Sequence, residues 1–307
     1  MMKPALALSV LAVALTASLV PALAGGSGGS SSDAEAPPIT TITAGPAGPT
    51  NVTSAEFMFT ADQQEVHFLC ALDSPISTPC ASPVTYNGLG DGQHTFSVFG
   101  VRDGPPGPAA TWSWVVDTVP PAPVAGLHAR VGYGKLRLSW TRTGDTNHVV
   151  IFRSVGAQKG ATQVYAGAGT TYAEAKFVNA LEHRYGFVSY DKAGNVSPPT
   201  GVTVKKSALL LTPADGAMVR RAHPPALHWR AVRRARFYNV QLWRGKRKEL
   251  SAWPQHASSR LSRAWRYKNR RYHLEPGLYT WYVWPSFGPL QKGIYGRLIG
   301  TASFRVR

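Results

Sequence analysis

Apolar and polar residues alternate in short runs along most of this chain. Leu136, Leu138 and Trp140 alternate with Arg137 and Ser139, and Tyr185, Phe187 and Ser189 keep the same period of two. Such a period turns one side of a strand into a core and the other toward water. Val149-Val150-Ile151-Phe152 is an uninterrupted apolar run, as expected of a strand covered on both faces. Turn residues recur roughly every eight to twelve positions with no long helical periodicity, so the predicted elements are short strands. Pro-rich joints, first at Thr118-Val119-Pro120-Pro121-Ala122-Pro123 and then near Lys205-Lys206-Ser207, divide the strands into segments 39–118, 119–206 and 207–307. Each has the size of a two-sheet sandwich.

Residues 1–24 break this pattern. A positive start at Lys3, an apolar run from Ala5 to Val20 and the small residues of Ala22-Leu23-Ala24 predict a cleaved signal peptide and an exported chain. The run is too short for a spanning helix and ends at Pro21, so no membrane span is expected. Residues 25–38, rich in Gly and Ser, predict a flexible linker. Gly25-Gly26-Ser27-Gly28-Gly29 matches a nucleophile elbow by letter only, since no apolar strand leads into it and no helix follows. In an exported chain the only cysteines, Cys70 and Cys80, predict a disulfide; their spacing is not that of a C-x-x-C redox pair.

Phe68-Leu69-Cys70-Ala71-Leu72-Asp73, Pro79-Cys80-Ala81-Ser82-Pro83-Val84 and Leu89-Gly90-Asp91-Gly92 resemble the cysteine-paired immunoglobulin-like repeats of bacterial surface and secreted proteins. The Leu138-Ser139-Trp140 strand and the Asp191-Lys192-Ala193-Gly194-Asn195 turn resemble a bacterial fibronectin type III domain, with His183 where that family places its corner tyrosine. Leu274-Glu275-Pro276-Gly277-Leu278-Tyr279 resembles the tyrosine corner of a second such domain, but Arg244 to Arg271 exceeds the usual connection. The resemblance implies an all-β chain of three tandem immunoglobulin-like/fibronectin type III-like β-sandwiches, in which the first two serve as spacers or adhesive modules.

Charge separates the segments. Residues 39–117 carry one Arg and seven carboxylates, residues 118–206 eleven bases and four acids, and residues 207–307 twenty bases and three acids. Like charges at that density repel one another, which points to an anionic partner for the third segment. Arg263, Arg266, Arg270 and Arg271 form its main cluster. Strand alternation that turns Tyr238, Val240 and Leu242 inward, with Tyr279, Trp281 and Val283, turns Phe237, Trp243, Tyr282 and Trp284 outward onto one sheet face. Two arrangements stay open at this stage: an exposed stacking platform set among arginines, or rings buried beneath the long basic connection.

Catalytic chemistry finds little footing. The third segment has only Asp215, Glu249 and Glu275 as carboxylates, and two of these sit in turn sequences. His223 and His228 flank Pro224-Pro225 without an H-E-x-x-H pattern. No enzyme activity, cofactor or metal is expected. The expectation is a secreted monomer, retained non-covalently at the cell surface, whose third domain binds an anionic envelope polymer or glycan. Nucleic-acid binding by the same arginines and protein-binding adhesion are the alternatives.

Overall fold

A computed structural model describes residues 36–307; the signal peptide assigned to residues 1–24, and residues 25–35 of the linker, lie outside the described residues. The chain is all-β, in tandem sandwiches each closed around its own core. In the first, three strands including Ser54–Ala61 face four including His67–Leu72 and Gly92–Val101. Phe57 stacks on Phe96 at 4.0 Å and meets Trp114 edge-on. Cys70 and Cys80 are joined as a disulfide between the adjacent strands His67–Leu72 and Thr78–Cys80. Among the described residues no helix is long and apolar enough to cross a membrane.

The second sandwich buries Leu136, Leu138 and Trp140 from one sheet against Ile151, Tyr185 and Phe187 from the other, as the alternation requires. His183 performs the task of the missing corner tyrosine. Its Nε2 lies 3.0 Å from the Val178 carbonyl oxygen, and a carbonyl can only accept, so the proton sits on Nε2. Nδ1 is left buried without a partner, and burial pushes the imidazole pKa down.

The third sandwich sets the sheet of Leu210–Thr212, Ala226–Trp229 and Ser258–Arg260 against five strands: Ala217–Val219, Gly300–Val306, Gly277–Ser286, Phe237–Arg244 and Arg247–Ala252. Trp229, Tyr279 and Trp281 fill the core, where burial of each large aromatic contributes about 2–3 kcal/mol. The corner is present: Glu275 N–H donates to Tyr279 Oη at 3.0 Å. The long basic connection does not close over the outer sheet face. It adds the edge strand Arg247–Ala252, crosses to the opposite sheet at Ser258–Arg260, and ends in the hairpin Ala264–Tyr267/Arg270–His273.

The sandwiches touch at both ends of the middle one. Asp191 Oδ1 accepts from Gly194 N and Asn195 N, and Asp191 Oδ2 accepts from Asn195 Nδ2. That amide also donates to the Asp117 carbonyl at 2.7 Å, tying the turn to the end of the first sandwich. At the other end Tyr133 donates to the Arg297 carbonyl at 3.1 Å, and its ring lies 6.3 Å from that of Phe287.

Candidate functional site

The basic cluster is built on the Ala264–Tyr267/Arg270–His273 hairpin. Lys268 and Asn269, both at positive φ (47° and 60°), make its two-residue turn. On one side Trp265 and Tyr272 lie opposite each other with rings nearly parallel at 6.3 Å. Trp265 packs against the core and donates its indole N–H to the Glu249 carbonyl at 2.6 Å, which anchors the hairpin. Arg266 stands opposite Arg271 on the other side, a like-charge pair that destabilises an isolated hairpin.

Arg263, Arg266, Arg270 and Arg271 are all exposed. Arg263 and Arg271 converge with Arg221 and His273 on a cleft of about 610 Å³ floored by Ala264 and Leu274, and no carboxylate lines it. Arg270 and Arg271 border a smaller adjoining hollow with Arg247, Glu249 and Glu275. Arg221 arrives from far in sequence because Ala217–Val219 pairs in parallel with Gly300–Val306 and Arg221 N–H bonds the Arg307 carbonyl.

The third sandwich has already used its three carboxylates. Asp215 accepts from Ser303 N–H at 2.8 Å, buried Glu249 pairs with Arg247 at 2.5 Å, and Glu275 pairs with Arg244. Arg244 holds the Glu275 carboxyl below the usual carboxylate range, chiefly through their hydrogen bond. Among the described residues, only Arg244 and Arg247 of the twenty bases pair with a carboxylate.

The aromatic face is a separate place. Trp243, Tyr282 and Trp284 do point outward, are half-buried, and form a ladder with Tyr282 5.9 Å from Trp284 and 6.4 Å from Trp243. Phe237 corrects the expectation: it is only 7% exposed, with the Tyr295 ring edge-on to it at 6.4 Å. Alternation sets the direction of a side chain but not what a later loop lays over it. The arginines do not surround these rings either. Neighbouring positions of the edge strand part the two groups, since Lys248 and Ser251 border the aromatic cleft while Arg247 and Glu249 border the hollow that adjoins the basic one.

Sequence reasoning missed Arg221 and His273 in the basic cleft, and Trp253 and Tyr295 beside the aromatic ladder. Neither of the latter two lies in a stretch whose alternation could be read from the sequence. It also did not foresee that Asp117, Asp145 and Asp191 bring carboxylate oxygens within 4.8 Å of one another. The Asp191 oxygens there are already engaged by Gly194 and Asn195.

Neither a family model nor a curated protein matches the chain. Among solved structures it is similar to domains A168-A170 of titin, at 12% identity and TM-score 0.36, covering 50% of this chain and 58% of that one, less than two thirds of its length. It is similar to a two-domain fibronectin type III segment from chicken tenascin at 13% identity and TM-score 0.27, covering 53% and 98% of the two chains. The fibronectin(III)-like modules of Clostridium thermocellum CbhA show 17% identity and TM-score 0.36, covering 54% and 92%. These are likenesses of fold alone, to chains of immunoglobulin-like and fibronectin type III-like domains.

Proposed function

We propose that the chain is a non-catalytic exported modular protein that holds an anionic polymer of the cell envelope or extracellular matrix in the arginine cleft of its third sandwich. One observation carries this reading: Arg221, Arg263 and Arg271 converge on a cleft without a carboxylate in its lining, in a domain whose acids bond Ser303, Arg247 and Arg244, with Glu275 also 3.6 Å from His273 at the cleft's edge. Guanidinium groups fork onto phosphate or carboxylate oxygens, and several on one cleft suit a repeating anion better than a single one. The disulfide accords with an oxidising compartment.

Retention of the full chain on purified anionic envelope polymer across a salt series tests this, beside a variant with Arg221, Arg263 and Arg271 replaced by alanine. The variant should elute at distinctly lower salt. Equal retention of the two proteins removes the cleft from the account. Displacement by DNA at equal phosphate concentration transfers the function to nucleic-acid binding.

A further inference from the structure

The outer face of the five-stranded sheet carries a second cleft, of about 460 Å³, bounded by Trp284, Trp253 and Tyr295 with Asn239, Gln241, Ser251 and Lys248. Its polar groups form a one-way relay. An indole N–H can only donate, so Trp243 Nε1, 3.1 Å from Gln241, fixes the Gln241 carbonyl oxygen toward itself. The Gln241 amide nitrogen then donates to Asn239 Oδ1 at 2.8 Å, and Asn239 Nδ2 donates to Ser251 Oγ at 3.2 Å. Gln241, Asn239 and Ser251 are each left with an unspent hydrogen. The same logic applies at the rim, where Trp253 Nε1 donates to Tyr295 Oη at 2.9 Å and leaves the phenol hydrogen free. Lys248 adds an ammonium 5.5 Å from the Trp243 ring centroid and has no carboxylate partner among the described residues.

The cleft therefore offers donors, one cation and flat apolar rings. A pyranose lays C–H groups on an indole, its hydroxyl and ring oxygens accept, and a carboxylate on the ring neutralises an ammonium. From charge complementarity with Lys248 and the donor relay, we propose that this cleft binds a uronic acid residue of a polysaccharide. The site is independent of the arginine cleft, with which it shares no lining residue.

Tryptophan fluorescence titration of the full chain with trigalacturonate, its methyl ester and inorganic polyphosphate tests the proposal. Trigalacturonate should bind saturably and more tightly than the uncharged ester. Trp284→Ala should weaken it roughly tenfold while polyphosphate binding persists. Lys248→Met should abolish the preference for acid over ester, and Trp284→Tyr should retain binding, showing that ring loss rather than misfolding is responsible. The Arg221/Arg263/Arg271 variant should bind trigalacturonate as the wild type does. Absence of saturable binding, equal affinity for acid and ester, or loss of trigalacturonate binding in the arginine variant but not in Trp284→Ala would each overturn it. Failure of polyphosphate binding alone would count against the arginine cleft and leave this site standing.

Discussion

Replacing Arg221, Arg263 and Arg271 together by alanine should change how steeply polyanion binding depends on salt. Each guanidinium that neutralises a phosphate releases a condensed counterion, and log K falls against log salt with a slope of about 0.7–0.9 per contact. Three arginines line the cleft, so the variant's slope should be shallower by about 2–3, the theoretical value for three lost contacts. Between 50 and 200 mM salt the wild type would then lose about 20- to 40-fold more affinity than the variant. The assay is anisotropy with a labelled single-stranded phosphodiester oligomer, used as a charge probe and titrated at four salt concentrations. Lys135, Arg137 and Lys159, exposed on the middle sandwich, provide a matched control triple. Equal slopes for wild type and cleft variant, or an equal drop in the control, would show that bulk charge and not convergence on the cleft carries the binding.

Tyr279→Phe removes the corner hydrogen bond to Glu275 N–H and should cost about 1 kcal/mol, read as a lower third-domain transition in thermal melting of the full chain. Replacing Cys70 and Cys80 by serine frees a short loop in the unfolded chain and should cost the first sandwich about 2–3 kcal/mol by urea denaturation. Because the His183 pKa is lowered in the folded state, the unfolded chain binds the extra proton, so the middle sandwich should lose stability as pH falls below about 6.5. His183→Tyr should flatten that dependence in denaturant melts. His94 has the opposite sign: hydrogen bonds to Asp73 and the Gly90 carbonyl raise its pKa, so its contribution to the first sandwich should be full below about 6.5 and fade as pH rises through the raised value.

Much of the framework was legible because strand alternation is a local signal. Leu136, Leu138 and Trp140, and later Tyr279, Trp281 and Val283, are buried where the period of two puts them. The outward direction of Trp243, Tyr282 and Trp284 followed from the same rule. What was not legible depends on distant chain. Phe237 is met by Tyr295, nearly sixty positions later, and Arg221 reaches the hairpin through pairing with the last strand. The stretch from Arg244 to Arg271 gave no readable period, because its strands are only three to six residues long and two of them, Arg247–Ala252 and Arg270–His273, carry basic residues at both alternations.

The contact between Tyr133 and the loop 287–297 makes the middle sandwich more than a passive strut. A side-chain carbon at Gly296 would come within 2.3 Å of the Tyr133 hydroxyl, so the bare position lets the loop lie flush against its neighbour without displacing that ring. The adjacent residue, Tyr295, is the one that bounds the uronate cleft and shields Phe237. The boundary between folding units therefore does not coincide with the boundary of the recognition machinery. Excising the carboxyl-terminal unit would strip a buttress from its own binding rim.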